Sequence, residues 1–573
     1  MVTLRIDGIE TTVPEGATIL DAAKTAGVDI PTLCYLKGIN EIGACRVCLV
    51  EVAGSDRLAA SCNTPAEEGM DVSTRSQRVL DARRTNLQLL MAQHDQDCLA
   101  CVRNDNCKLQ QLCAADNVSA QPFAKDATPA RWNEQWTILR DSSKCVRCMR
   151  CVAICDKVQA NHVWEVNGSG KRLDVAVAPR CEGKPEILCA ACGQCVTHCP
   201  TGALTVRDDT ERVQAALADP NTTVVVQIAP SVRTAWGSAF GLTPEESDID
   251  LLAAALKQAG VDYVFSTDFT ADLTIMEEGS EFLELFTSGK TKEAPLFTSC
   301  CPGWVRYANA SHPKLAGHLS TAKSPQQMLG AMIKSYFAQE NGIDPKTICS
   351  VSIMPCSAKK TECARPDMND ACGDPDVDVV LTTREVGRLL KRLHVDVPSL
   401  EPIELDTPMQ DYTGAGIIFG ATGGVMEAAL RSAYYLATKT EADPDAFKEV
   451  RATGEGRNLP WREASFDIEG NVVKVAVASG LANAHALCQA IESGEASYDF
   501  VEVMACPGGC VGGGGQPIVM DCEMAETREE VLRKLDSACK SRRSHENPDI
   551  QRAYDSFLGA PLSHKAHELL HTH

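Results

Sequence analysis

The residues with chemistry to offer here are cysteines, and their spacing sorts them. Cys145-x2-Cys148-x2-Cys151-x3-Cys155 recurs as Cys189-x2-Cys192-x2-Cys195-x3-Cys199-Pro200. Thiolates at this spacing hold two [4Fe–4S] clusters, and the fourth cysteine of each run serves the other cluster. One cluster is then expected on Cys145, Cys148, Cys151 and Cys199, and the other on Cys189, Cys192, Cys195 and Cys155. Upstream, His94-x3-Cys98-x2-Cys101-x5-Cys107 offers three thiolates and one imidazole. That set suits a [4Fe–4S] cluster and also suits zinc. Cys34-x10-Cys45-x2-Cys48-x13-Cys62 offers four thiolates, enough for the two irons of a [2Fe–2S] cluster, with zinc again the alternative.

Three further segments lie far downstream. They are Phe297-Thr298-Ser299-Cys300-Cys301-Pro302-Gly303-Trp304, Met354-Pro355-Cys356-Ser357-Ala358-Lys359-Lys360, and the run from Glu502 through Cys506, Pro507, Cys510 and Gly512 to Pro517. In each, a strand-like run ends in cysteine and a Pro or Gly turn. Cysteines converging from three strand ends can build one metal centre. The glycine run brings backbone close to a bulky group. It is not a phosphate loop, because no Lys-Ser/Thr follows it. Cys300 and Cys301 are adjacent in an extended segment and point opposite ways, so they do not easily share one iron.

Elements must position these groups. Val2 to Asp7 and Glu10 to Val13 read as two strands around Asp7-Gly8, followed by a helical pattern at Ile19, Ala22, Ala23 and Ala26 with Gly27 as a stop. Val79 to Met91 is helical in pattern and delivers His94 at its end. After residue 210, strand-like runs at Val224–Ala229, Val261–Phe265, Ile348–Ile353, Val377–Leu381, Val472–Val477 and Phe500–Met504 alternate with helical periods such as Arg384–Leu393 and Ala482–Glu492. That alternation predicts α/β architecture with mostly parallel strands. The cysteine groups divide the chain into residues 1–78, 79–125, 126–210 and 211–573, a multi-domain α+β and α/β protein.

Composition narrows the class. At 573 residues the chain is too long for one core. A formal net charge of −22 argues against nucleic acid as a partner, since phosphates would be repelled. No apolar run approaches the roughly 18 residues that a membrane span needs. The start Met1-Val2-Thr3-Leu4-Arg5 shows no export signal, so a cytoplasmic location is expected. In a reducing compartment, 28 cysteines read as metal ligands rather than disulfides.

The three downstream segments resemble, nearly letter for letter, the signature motifs of the [FeFe]-hydrogenases. The resemblance runs the whole length. Residues 1–78 resemble a β-grasp [2Fe–2S] ferredoxin domain of the kind seen in respiratory complex I and large hydrogenases, and the repeat at 126–210 resembles a two-cluster bacterial ferredoxin. The whole front half is similar to the accessory array of large clostridial-type enzymes. Ser544-His545-Glu546-Asn547-Pro548 and Leu569-Leu570-His571-Thr572-His573 resemble the C-termini of catalytic subunits in NAD(P)-linked, multi-subunit hydrogenases.

The resemblance implies one [2Fe–2S] cluster, three accessory [4Fe–4S] clusters and an H-cluster. The last is a cubane joined through cysteine sulfur to a two-iron unit carrying CO, CN⁻ and an azadithiolate bridge. By motif, Cys301, Cys356, Cys506 and Cys510 would ligate the cubane, with Cys510 as the bridge. Lys359 and Gln326 would each meet a cyanide, and Ser231 with Ala229 and Pro230 would meet the other iron side. Met354, Met504 and Phe419 would pack around the unit and exclude water. Cys300 is left as a free thiol whose ordinary pKa near 8.5 suits proton exchange. It would pass protons to Glu278, Ser320 and Glu281. Glu278 and Glu281, at i and i+3 on an expected helix, share one face. Without the motif they read as a solvated acidic face. Some family members carry an arginine four residues past the second glutamate, where this chain has Leu285.

The resemblance further implies H2 and protons as substrates, ferredoxin or an NAD(P)-linked flavin and iron–sulfur subunit as redox partner, and maturation proteins that insert the two-iron unit. The chain has no dinucleotide fingerprint of its own. Two other readings fit part of the motifs: a hydrogenase-like iron–sulfur sensor, and a pure electron-transfer subunit. Eight cysteines take no role: Cys113, Cys181, Cys349, Cys363, Cys372, Cys488, Cys522 and Cys539.

Overall fold

The computed structural model describes residues 1–118, 122–125, 132, 136–181, 188–451, 460–468, 470–520 and 522–572. The last residue of the C-terminal motif, His573, lies outside them. Among the described residues, no helix is long and apolar enough to cross a membrane.

The front of the chain begins with Val2–Ile6 and Ile9–Val13 paired antiparallel around Asp7-Gly8. Both turn residues adopt positive φ, 49° and 85°, which is why an Asp-Gly pair stands there. Asp71–Ser73 joins Val2–Ile6 in parallel, and Leu49–Val52 and Ala59–Ala60 complete a five-stranded sheet. The helix Ile19–Thr25 starts at a capping box between Thr18 and Asp21 and packs Ile19, Ala22 and Ala23 onto Leu4, Ile6, Val13 and Val72. The expected helix at Val79–Met91 is Gln77–Ala92, capped by Ser76. Its buried Arg83 bonds the Val47 carbonyl at 3.1 Å and lies 3.9 Å from Asp116, so it ties the helix to the sheet below and the helix Lys108–Ala115 beyond.

The cysteine repeat is also a backbone repeat. Arg147 and Ala191 both sit at φ 53°, and Met149 and Gly193 at 64° and 73°. In each run the loop turns through left-handed residues so that successive thiols face inward, and then enters a short helix, Arg150–Ala153 or Gln194–Thr197. Two antiparallel pairs brace the runs: Ile138–Arg140 with Leu204–Val206, and Trp164–Asn167 with Asp174–Val177.

The rest is built on two sheets. The first, in order Tyr263–Ser266, Thr223–Ile228, Ile348–Met354 and Val379–Thr382, is wholly parallel. The second runs Leu296–Phe297, Phe500–Met504 and Asn471–Ser479 in parallel, with Arg462–Ile468 antiparallel at its edge. Strand ends differ from expectation by one or two residues. Val261 and Val377 are buried apolar residues outside any ladder, because burial extends past the last paired residue. The helix Thr267–Thr287 is buried along its first thirteen residues and carries Glu277, Glu278 and Glu281.

The C-terminal helices Ala525–Ala538, Pro548–Ala553 and His564–Leu570 wrap back over this domain. Arg431, 1% exposed, holds the first of them: it bonds Glu427 and, through two nitrogens at 2.9 Å, both Asp536 oxygens. Glu427 also meets Arg451 and Arg533, and Asp536 also meets Arg542, so removing Arg431 weakens a shared network without stranding either carboxylate. Arg431→Met is expected to destabilise the chain by about 1–3 kcal/mol, read as a lowered denaturant midpoint, with the helix Ala525–Ala538 losing hydrogen-exchange protection first.

Candidate catalytic centre and cluster sites

The accessory thiols fall into the expected groups. Cys34 is hydrogen-bonded to Cys45, and Cys48 to Cys62, so the four form two pairs, one for each iron of a two-iron cluster. His94, Cys98, Cys101 and Cys107 line one cavity of about 170 Å³. The His94 ring bonds the Lys144 backbone while Nδ1 is buried without a partner, the posture of an imidazole ligand steadied by its other nitrogen. Cys145, Cys148, Cys151 and Cys199 line another cavity. Cys155 stands near Cys189 and Cys195. Burial pushes the Cys148 and Cys155 thiols up to about 12, so a cationic cluster is needed to keep them ionised. Among the described residues, no three His, Cys, Asp or Glu groups close around a single ion.

Downstream, Cys301 sits at the start of the helix Pro302–Ser311, Cys356 just past Ile348–Met354, and Cys506 just past Phe500–Met504. With Cys510 they form one buried group in which each thiolate would raise its neighbours' affinity for a proton. Glycines allow the approach. A side chain on Gly513 would stand 2.3 Å from the Pro355 carbonyl oxygen, and one on Gly514 would stand 2.2 Å from that of Cys192. The glycine run thus lets backbone lie on backbone, beyond the approach to a bulky group that was expected of it.

Lys359 and Gln326 are brought together by a residue the motif did not name. Lys359, 8% exposed, donates to the Cys300 carbonyl at 3.1 Å and to Glu362 at 2.9 Å. Gln326 donates to the same Glu362 at 3.1 Å and accepts from Ser352 at 3.0 Å. Buried Glu362 therefore holds both side chains. Its only trace in the sequence is the i, i+3 spacing from Lys359. Ala229 and Pro230 open a tight turn at the end of Thr223–Ile228, and the Ser231 hydroxyl there is fully buried with no partner. Gln516, also missed, donates to the Ser231 carbonyl at 2.9 Å. Met354 packs in the core of the parallel sheet; Met504 and Phe419 pack in one apolar cluster with Cys300. Four ionisable thiols, a buried ammonium and an orphaned hydroxyl fit a bulky anionic iron–sulfur group. Lys359, Gln326 and Ser231 would bond its outer ligands.

On the far side stands Glu278, wholly buried, accepting from the Ser299 amide at 3.4 Å with its second oxygen unpaired. Burial first, then Glu281, pushes its carboxyl up to about 8. The solvated acidic face that the two residues suggest without the motif is not what forms: Glu278 is buried and Glu281 half-buried. Ser320 stands beside Glu278 and donates to Glu281 at 2.6 Å. Glu281 is half-buried and Thr321 exposed, so this row runs outward. Cys300 departs from its ordinary value: burial, then Glu278, pushes the thiol well up.

Fold and site together define an iron–sulfur oxidoreductase in which a buried four-cysteine centre meets a chain of proton-bearing side chains. Residues 222–514 match the family model "Iron only hydrogenase large subunit, C-terminal domain". Residues 1–77 match a 2Fe-2S iron-sulfur cluster binding domain, 83–122 the NADH-ubiquinone oxidoreductase-G iron-sulfur binding region, and 522–573 the iron hydrogenase small subunit. The chain is 46% identical to the NADP-reducing hydrogenase subunit HndD of Solidesulfovibrio fructosivorans, covering 100% of this chain and 98% of that one. It is 38% identical to iron hydrogenase 1 of Clostridium pasteurianum, covering 100% and 99%. An apo [FeFe]-hydrogenase structure, HydA1 of Chlamydomonas reinhardtii, aligns with TM-score 0.55 and 43% identity over 63% of this chain and 98% of that one. The chain belongs to the [FeFe]-hydrogenase family.

Glu278 makes stability depend on pH in a stated direction. Its carboxyl titrates near 4.5 unfolded and near 8 folded, so the stability it lends is full below the first value and lost as pH rises through the second. Glu278→Gln is expected to remove that decline. Denaturant midpoints of variant and parent should diverge in the variant's favour between about pH 5 and pH 8.

Proposed function

We propose that this chain interconverts H2 with two protons and two electrons. The observation that carries the reading is the placing of Cys300 between the four-cysteine centre and the buried Glu278. The cofactors proposed are one [2Fe–2S] cluster, three accessory [4Fe–4S] clusters and an H-cluster on Cys301, Cys356, Cys506 and Cys510. When bound, the H-cluster supplies the open iron and bridging amine at which H2 is split or formed. The four domains are taken as 1–78, 79–125, 126–210 and 211–573.

The protein's part is proton handling, positioning and exclusion of water. A proton at the Cys300 thiol passes to Glu278, whose raised affinity keeps it close in proton demand to its neighbours. Ser320 and Glu281 carry it outward. Lys359 is held by Glu362 so that its ammonium faces the centre, and an ammonium donor suits an anionic cyanide. Met354, Met504 and Phe419 keep the centre dry.

Contacts between the thiol loops support an electron route. The Cys506 thiol lies 3.8 Å from the Cys192 carbonyl, and Gln194 donates to the Gly512 carbonyl at 2.8 Å. The Pro200 carbonyl, next to Cys199, accepts from Lys108, next to Cys107, at 3.1 Å. Buried Asn40 donates to both the Cys34 and Cys148 carbonyls, at 2.7 and 2.9 Å. The Cys145–Cys199 site therefore adjoins both the His94 site and the Cys34–Cys62 site. The array forks, with two outer ends at which a ferredoxin or an NAD(P)-linked flavin and iron–sulfur subunit could exchange electrons. The full-length likeness to a subunit of an NADP-reducing hydrogenase favours the second partner. Maturation proteins would insert the two-iron unit.

Retention of Cys300, Lys359, Gln326, Glu278 and Glu281 about one centre separates this reading from a non-catalytic iron–sulfur sensor, and the occupied motif positions separate it from an electron-transfer subunit. Infrared spectra of anaerobically matured protein are expected to show CO and CN⁻ bands that shift under H2. Cubane absorbance without those bands, even after the synthetic two-iron unit is supplied, would refute the proposal. Cys300→Ser is expected to keep the bands and lower turnover by about 10²–10⁴-fold.

A further inference from the structure

The row of proton-bearing side chains does not stop at Glu281. Glu281 Oε1 accepts from the Thr321 amide at 3.2 Å and from the Thr321 hydroxyl at 3.0 Å. The same hydroxyl lies 2.8 Å from Nδ1 of His571, an imidazole with no exposed surface. Nε2 of that ring lies 3.1 Å from Glu277 Oε2. Glu277, also fully buried, accepts from the Tyr554 hydroxyl and from the Leu562 amide at 2.9 Å. The ring of His567 stacks flat on His571, centroids 4.8 Å apart. Thr572 pins the segment by donating its amide to the Thr321 carbonyl at 2.8 Å. On the other side of Glu281, Leu285 packs against the apolar core and offers no onward hydrogen bond.

We propose that His571 is a positioning and proton-holding residue of the proton path, exchanging one proton with Glu281 through the Thr321 hydroxyl. The inference rests on the relay proposed above. The hydroxyl has one hydrogen and two partners within bonding distance. In one arrangement it donates to the Glu281 carboxylate and accepts from Nδ1–H. Nε2–H then faces Glu277, and the imidazolium sits between two carboxylate-bearing sides. In the other it donates to a bare Nδ1, and Glu281 carries the proton. Passage between them moves two hydrogens in concert: Nδ1 gives its proton to Thr321 Oγ as Thr321 gives its own to Glu281 Oε1. One proton is transferred, each O–H or N–H bond broken is replaced, and Nε2–H stays on Glu277 throughout. Glu277, Tyr554, His567 and, through Thr321, Glu281 are the titratable groups facing the ring. The C-terminal segment that carries His571 thereby takes part in proton supply as well as in packing.

The test uses the full matured chain. His571→Asn keeps a donor near Thr321 but cannot titrate, Thr321→Val removes the hydroxyl, and Thr321→Ser restores it. His571→Asn and Thr321→Val are each expected to erase the same limb of the pH profile of H2 production, and the double variant to lose no more than either alone. Thr321→Ser should recover the parental profile. Profiles that superimpose on the parent in variants with intact CO and CN⁻ bands would overturn the inference and leave the hydrogenase reading standing. A second measurement needs no two-iron unit. In apo protein the infrared carboxyl band of isotope-labelled Glu281 should titrate in two coupled steps, and in one step in His571→Asn. An identical single step in both chains would overturn the inference, even where failure of the parent to turn over had already refuted the hydrogenase reading.

Discussion

Charge that is buried must be neutralised within a few ångströms, and this structure is arranged around that constraint. Five groups of thiols are taken out of water, and each group is self-repelling once ionised. Sets of four cysteines, or of three with His94, on loops that turn inward through left-handed residues are an arrangement suited to clustered iron. The same rule governs the groups around the centre. Lys359 is answered by Glu362, Lys360 by Asp209 and Glu385, Arg431 by Glu427 and Asp536. Glu278 has no cation bonded to it, and its carboxyl is pushed up to about 8.

Neutralisation alone would not join the sites. Joining depends on backbone approaching backbone without side chains between. Gly514 against Cys192 and Gly193 brings the last accessory loop onto the third downstream segment, and Gly513 against Pro355 brings that segment onto the second. Ser357 adds a bond to the Ala191 carbonyl at 2.6 Å. A methyl group at Gly514 would push the Cys192 loop away from the third downstream segment, and one at Gly513 would spread the Cys301–Cys510 group itself. Rigid junctions of this kind explain why the front and back of the chain meet through many specific hydrogen bonds rather than through a loose apolar face.

Particular residues show where reading the chain one letter after another stops. The gathering of Cys199 with Cys145, Cys148 and Cys151 about one cavity was legible, because the repeat and its spacing carry it. Glu278 and Glu281 were legible as sharing a face, since helical periodicity alone places them. Their burial was not, because it depends on the Ser299–Ala322 loops folding over that face. Glu362, Gln516 and Thr321 escaped notice for a related reason: each is an ordinary polar residue until a distant segment supplies its partner.

What the sequence by itself determined is ligand chemistry and local geometry. Cysteine spacing set which thiols could bind which iron, apolar alternation set strands and helices, and the Pro/Gly turns set where strands deliver cysteine. Tertiary structure alone decided the energetics. It raised the Glu278 carboxyl and the Cys300 thiol, left the Ser231 hydroxyl unpaired, joined the Cys34 and Cys148 loops through Asn40, and set His571 against Thr321. Proton affinity and partnership depend on dielectric surroundings and on groups hundreds of residues away, and neither is a property of local sequence.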